Sequence, residues 1–188
     1  MRIFVIGGTG FIGPYVVRRL HEMGHEVILF HRGQTEADLP LGVKHLLGDR
    51  RRLTDFADEF RQLAPHVVLD MIPLTEQDAQ MVMNTFKGIA QRVIAISSQD
   101  VYRVYGKLLR IEPGPIEPVP LTEDAPLRQR LYPYRGEIPR NPDDPKRWLD
   151  DYDKILVERA VMGDPDLSGT ILRLPMVYGP GDKQHGRC

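Results

Sequence analysis

Short apolar runs rich in Val, Ile and Leu alternate along this chain with longer amphipathic stretches, and that alternation constrains the fold more than any other feature. Arg2–Ile6, Val27–Phe30, Val43–Leu47, His66–Asp70, Arg92–Ser97 and Thr170–Leu174 read as strands. Continuous apolar runs such as Val67-Val68-Leu69 and Val93-Ile94-Ala95-Ile96 suit strands buried on both faces. Phe11–Met23, Leu53–Leu63, Glu76–Ala90 and Leu149–Val161 read as helices; in the first, Ile12, Val16, Val17 and Leu20 recur at helical spacing and Gly24 is placed to end it. Repeated strand–helix–strand units pack as a parallel sheet with helices on both faces, which excludes a sandwich or a bundle. The expected architecture is α/β, a doubly wound parallel sheet (Rossmann fold) in three α/β/α layers, with strand order 3-2-1-4-5-6.

One stretch departs from the rhythm. Prolines stand at 113, 115, 118, 120, 126, 133, 139, 142 and 145, so no long helix or central strand fits there. The whole of 1–188 is expected to form one domain carrying this insertion at about 103–147, and insertions of that length commonly serve as functional lids or stay disordered.

Composition narrows the classes of function. The 25 Lys and Arg balance 26 Asp and Glu to a net charge of -1, leaving no excess to condense on nucleic acid or anionic lipid. The one cysteine, Cys188, can form no intramolecular disulfide, and no apolar run approaches the roughly 20 residues that a bilayer requires. A cytoplasmic protein with no membrane contact is expected. His21 and His25 have helical metal-pair spacing, but no carboxylate motif completes them, and the three arginines of Arg50-Arg51-Arg52 read as a solvated face.

The chemistry is most legible at Gly7-Gly8-Thr9-Gly10-Phe11-Ile12-Gly13, which follows the first strand and opens the first helix. Gly7 permits a tight turn, Gly10 lets a pyrophosphate approach the backbone, and Gly13 lets the helix close on the sheet. The helix N-terminus that opens at Phe11-Ile12-Gly13 offers unpaired N–H groups and a partial positive charge to such an anion, which makes these residues candidates for binding it. At the end of the second strand stands Phe30-His31-Arg32-Gly33, with no acid to bind a ribose 2′-hydroxyl. Arg32 suits a 2′-phosphate, which favours NADP over NAD, and is also read as a solvated loop arginine. Asp49 suits an adenine amino group or, equally, a turn or helix cap.

Four segments together resemble the extended short-chain dehydrogenase/reductase family, the NAD-dependent epimerase/dehydratase group. They are the glycine loop, Ser97-Ser98-Gln99-Asp100-Val101-Tyr102, Pro120-Leu121-Thr122-Glu123-Asp124, and the stretch from Leu172 through Pro175-Met176-Val177 to Gly181-Asp182. The resemblance implies an NAD(P)-dependent epimerase, dehydratase or reductase acting on a sugar nucleotide or a similar hydroxyl/carbonyl substrate by transient hydride transfer. It implies that Ser98 hydrogen-bonds the reacting oxygen, although a turn role at the strand end is the alternative. Pro175 and Val177 would lie by the nicotinamide. Asp100 falls where sugar-nucleotide dehydratases carry an acid pair, and Gln99 replaces its partner. A homodimer through the helices at Glu76–Ala90 and Leu149–Val161 is also implied.

The family base is a tyrosine four residues before a lysine on one helix face. Here Lys154 matches the lysine, Asp150 stands four residues earlier, and Tyr152 is only two residues away. Two steps rotate a helical side chain by about 200°, so Tyr152 and Lys154 cannot share a face of a regular helix. Three readings stay open: Tyr152 lies just before the first turn and still reaches the site, Tyr132 or Tyr134 takes its place, or the catalytic role is lost. Lys154 either binds the nicotinamide ribose or forms a surface pair with Glu158. The family's C-terminal substrate domain is expected to be absent or truncated, so a non-catalytic dinucleotide-binding regulatory or RNA-associated protein is the competing class.

Overall fold

The computed structural model describes residues 1–180 and 182; Gly181 and Cys188, both noted in the sequence, lie outside them. The elements are β1 (Arg2–Ile6), α1 (Gly13–Glu22), β2 (Glu26–His31), β3 (Lys44–Leu47), α2 (Ala57–Leu63), β4 (Val67–Asp70), α3 (Glu76–Phe86), β5 (Arg92–Ser98), α4 (Arg103–Leu108), α5 (Lys154–Met162) and β6 (Ser168–Leu174). All neighbouring strands pair in parallel in the order β3-β2-β1-β4-β5-β6, as the alternation of segments implies.

Side-chain alternation along β1 sorts the core into two layers, because successive residues of a strand point to opposite faces. Phe4 and Ile6 turn to the side covered by α2, α3 and α5, where they meet Phe30, Phe60 and Phe86. Phe60 stacks on Phe86 with ring centroids 4.9 Å apart and meets Phe4 edge-on at 4.9 Å. Ile3 and Val5 turn the other way, onto Val17 of α1 and Leu29 of β2. Burying one such side chain contributes about 1.5–3 kcal/mol, so this aromatic layer is a main source of stability.

The helix boundaries differ most from the periodicity reading at three places, each for a local reason, while the first helix is only trimmed to Gly13–Glu22. The segment expected as one helix over Leu53–Leu63 begins with a tight 3-10 stretch, Arg50–Phe56, whose Arg52 leaves helical geometry. The third helix stops at Phe86, before Gly88 with its φ of 74°. The helix expected from Leu149 starts only at Lys154: Arg147–Asp150 is a separate 3-10 turn, and Asp153 is extended and caps Ile155 N–H with its carboxylate. An Asp at an N-cap satisfies a donor that the helix itself cannot.

The proline-rich segment is ordered through side chains. It contains the short α4, and Glu117 pairs with Arg103 and Lys107, while Glu112 accepts from the backbone N–H groups of Gln129 and Arg130. Its far end is tied down at α5. Arg128 donates to Asp153 at 3.3 Å with both side chains fully buried, and the Tyr132 N–H donates to the same carboxylate at 2.6 Å. Such bonds replace the ladder that proline cannot enter. Among the described residues, no helix is long and apolar enough to cross a membrane.

Candidate functional site

A cleft of about 700 Å³ runs along the carboxyl ends of β1–β4, where ligands of open α/β sheets bind. Its floor is the turn after β1. Gly7 sits at φ +80°, a conformation that favours glycine, and its N–H is bonded to the Phe30 carbonyl at 3.1 Å. A Cβ on Gly13 would stand 2.4 Å from the Gly8 backbone, whereas one on Gly10 would meet nothing within 4 Å. Gly13 therefore closes the helix onto the loop itself, and Gly8 takes the contact with the sheet, where a Cβ would strike Leu29, Val17 and Val5. That division differs from the sequence reading, which gave the close packing on the sheet to Gly13. Gly10 is left open towards the cleft. The first turn of α1 carries no acidic residue and no side-chain cap at Ile12, so the positive end of this ten-residue helix faces no competing side chain, although Gly13 N–H is bonded to the Gly10 carbonyl at 2.9 Å and Pro14 has no N–H to offer. These features fit a bound pyrophosphate.

Arg32 and Asp49 line one end of this cleft together with Arg51. Asp49 acts as a cap: its carboxylate accepts from the Arg51 guanidinium at 2.6 Å and from Arg51 N–H at 3.0 Å, which holds its pKa at about 2. Arg32 is exposed. His31 bonds His45 ring-to-ring at 2.9 Å and its second ring nitrogen accepts from Gly33 N–H, so the loop after β2 is held by an imidazole pair.

A second cluster forms where β5 ends and α5 begins. Tyr152 lies in the extended residues before α5, where it bridges Thr75, while Asp153 N–H donates to the Leu74 carbonyl at 3.3 Å. This is the position the first of the three tyrosine readings requires. Tyr152 hydroxyl donates to Asp100 Oδ2 at 2.8 Å, and Tyr134 hydroxyl reaches the same oxygen at 3.4 Å. Ser98 caps Asp100 N–H at 3.2 Å, and its hydroxyl acts to lower the Tyr152 phenol slightly against the larger upward effects. The structure thus brings Ser98, Asp100, Tyr152 and Tyr134 together, and leaves Tyr132 facing Arg135 instead.

Burial governs the electrostatics of this cluster. It raises the Asp100 carboxyl above the usual carboxylate range, partly offset by the Tyr152 hydrogen bond and the charge of Arg128. Asp100 Oδ1 is buried with no partner. Burial and then the Asp100 charge push the Tyr152 phenol far above its ordinary value, and burial first, then Asp100, carry Tyr134 up to about 12. Lys154 is lowered to about 8 by burial. Its ammonium donates to the Pro73 carbonyl at 2.6 Å and the Ile96 carbonyl at 2.9 Å, bridging the ends of β4 and β5. The expected alternative of a surface Lys154–Glu158 pair is incorrect. Glu158 instead accepts from Ser97 Oγ at 2.7 Å and pairs with Arg173 at 2.8 Å, because β6 brings Arg173 over that face of α5.

Several residues of this region carried no signal as site residues. Arg50 forms a two-pronged pair with Asp70 at 2.9 and 3.0 Å at the cleft wall, although the sequence suggests a solvated basic run. Arg128 and Asp153 join the proline-rich segment to the site, and only the Asp-before-helix pattern hinted at the second. Pro175 and Val177, expected beside the nicotinamide, are exposed and lie off the cleft wall; Ser98, Asp100, Tyr152 and Lys154 also lie off it. The model of the NAD dependent epimerase/dehydratase family matches residues 3–187. The chain belongs to this family.

Members similar to it act in several ways. The chain is 27% identical, over its full length and 46% of the relative, to 2′-dehydrokanamycin reductase of Streptomyces kanamyceticus. It is 28% identical to UDP-glucose 4-epimerase of Streptomyces lividans, over 68% of this chain and 41% of that protein. Among solved structures, UDP-glucose 4-epimerase of Thermus thermophilus in complex with NAD superposes with a TM-score of 0.70 at 21% identity, covering 100% of this chain and 59% of that one. The chain spans about half the length of the curated relatives it matches.

Proposed function

We propose that this chain is the dinucleotide-binding part of an NAD(P)-dependent epimerase/dehydratase-type enzyme acting on a sugar nucleotide or a similar hydroxyl/carbonyl substrate. The observation that carries the reading is one of adjacency. A cleft with a glycine cradle and an uncapped helix end runs towards Thr75, which is bridged to Tyr152 of the Ser98–Asp100–Tyr152 cluster. The names of the relatives, reductase and epimerase, support the same class.

In this reading Gly7, Gly10, Phe11, Ile12 and Gly13 hold the pyrophosphate, Arg32 and Asp49 attend the adenosine half, and Lys154 the nicotinamide ribose. Pro175 and Val177 close the nicotinamide side. When bound, the dinucleotide takes up and returns a hydride. Ser98 donates a hydrogen bond that orients the reacting oxygen. The proton of a substrate hydroxyl passes to the Tyr152 oxygen as the phenolic proton moves to Asp100 Oδ2, so the phenol never has to ionise. A carboxyl raised by burial is a better proton acceptor than an ordinary one, which suits it to end such a relay.

Calorimetric titration with NAD, NADH, NADP and NADPH tests the reading. Binding is expected, with any preference for the 2′-phosphate lost in Arg32→Ala. If none of the four binds, the chain is not a dinucleotide site and the proposal fails.

A further inference from the structure

Two residues of the proline-rich segment, Pro145 and Trp148, reach the wall of the dinucleotide cleft. Trp148 is 44% exposed, yet it is firmly placed. Its ring meets Tyr152 edge-on at 5.9 Å, and its 3-10 turn is fixed by the buried Asp150. That carboxylate accepts from Arg140 N–H at 2.8 Å and pairs with the side chains of Arg140 and Arg147. An indole held this way on a cleft wall is a preformed flat surface rather than a mobile side chain.

Its place along the cleft says what it meets. Arg32, Asp49 and Arg51 mark one end, the glycine cradle the middle, and Thr75 with Trp148 the end joined to Tyr152. We propose that Trp148 is the ring-binding residue for the nicotinamide, with the indole face packed on the planar pyridinium of the oxidised dinucleotide. This assignment rests on the dinucleotide reading above and adds to it a residue and a preference. The neighbouring wall is apolar at Ile72 and Leu74, and the acid there, Asp78, is engaged by Arg50 at 3.3 Å. A flat cation is therefore offered an aromatic face instead of a free carboxylate, an attraction that the uncharged reduced ring lacks. Trp148 thus favours the oxidised form.

The chain contains one tryptophan, so its emission reports this residue alone. The full chain is titrated with NAD⁺ and NADP⁺ and with ADP-ribose and its 2′-phosphate, following fluorescence and heat together, and affinities for the reduced forms are taken from heat. The oxidised dinucleotides should quench Trp148, whereas the ADP-ribose compounds should bind without quenching. Trp148→Leu should weaken the oxidised form by about 3- to 10-fold, the weight of a cation–aromatic contact, and the reduced form less. Trp148→Phe should restore most of the difference. Equal emission changes with and without nicotinamide, or a leucine variant with unchanged preference for the oxidised form, would overturn the assignment while leaving the dinucleotide reading intact. Absence of heat with every ligand would remove both.

Discussion

Tyr152 and Asp100 share a buried hydrogen bond of 2.8 Å, although 52 positions separate them in the chain. The bond joins the segment before α5 to the end of β5, and after burial it is a main influence on the protonation of both partners. With the carboxylate accepting, the phenol is held protonated; with the phenol donating, the carboxyl regains part of what burial takes away.

Asp100→Asn should therefore bring the Tyr152 phenol down towards its ordinary value. Tyrosine labelled with carbon-13 at Cζ and titrated by NMR reads this directly, with Tyr134 expected to shift the same way. Unchanged titration of both phenols would separate them from Asp100. In the same frame Tyr152→Phe should abolish turnover and leave dinucleotide affinity nearly intact.

Gly10 and Gly13 make a pair of controls within one loop. Gly10→Ala adds a methyl group to open space, so the melting temperature should stay nearly constant while dinucleotide affinity falls by an order of magnitude or more. Gly13→Ala places a Cβ against the Gly8 backbone and should lower both stability and affinity. If Gly10→Ala binds normally, the cradle is not where the pyrophosphate lies.

Lys154 provides a pH signature with a definite sign. Its folded pKa of about 8 lies below the ordinary 10.5, so between these values the unfolded chain binds more protons than the folded one. Stability from this group should rise with pH from about 8 to 10.5, by about 3 kcal/mol for a shift of this size. Urea midpoints across that range should climb in the parent chain relative to Lys154→Met. Parallel curves would show that burial does not strain the ammonium.

Arg50 and Asp70 lie 13% and 1% exposed, a pair with little water to compensate either charge alone. Asp70→Asn should cost about 3 kcal/mol, because it leaves the largely buried guanidinium with only the single-pronged ion pair to Asp78, while the double change Arg50→Met with Asp70→Leu should recover much of that loss. Equilibrium denaturation distinguishes these cases. A loss below about 1 kcal/mol for Asp70→Asn would mean that water or Asp78 takes over the guanidinium.

The legible part of this protein is what repeats locally. Val67-Val68-Leu69, the Ile12–Leu20 stripe and the glycine spacing each encode their element through a short-range period, and the parallel order of strands follows from right-handed crossovers between them. Gly7 and Gly10 could be placed for the same reason, since they fall in the turn that follows the first strand, whereas the placing of Ser98 came from the family resemblance. Helical spacing misplaced the start of α5, running it back to Leu149 while Asp153 caps it at Lys154, and so left the position of Tyr152 open among three readings.

Tertiary structure alone decided who pairs with whom. Arg50 looked like one of three solvated arginines until β4 brought Asp70 beneath it. Glu158 lay four residues from Lys154, which left a surface pair as one of two readings, but β6 delivered Arg173 and β5 delivered Ser97 to it. A buried charge takes the partner that satisfies it after folding, whatever its distance in sequence. The proline-rich segment shows the same division. Its composition argued against a long helix or a central strand, and only Arg128, Arg140 and their buried carboxylates determined that it folds back to set Trp148 against Tyr152.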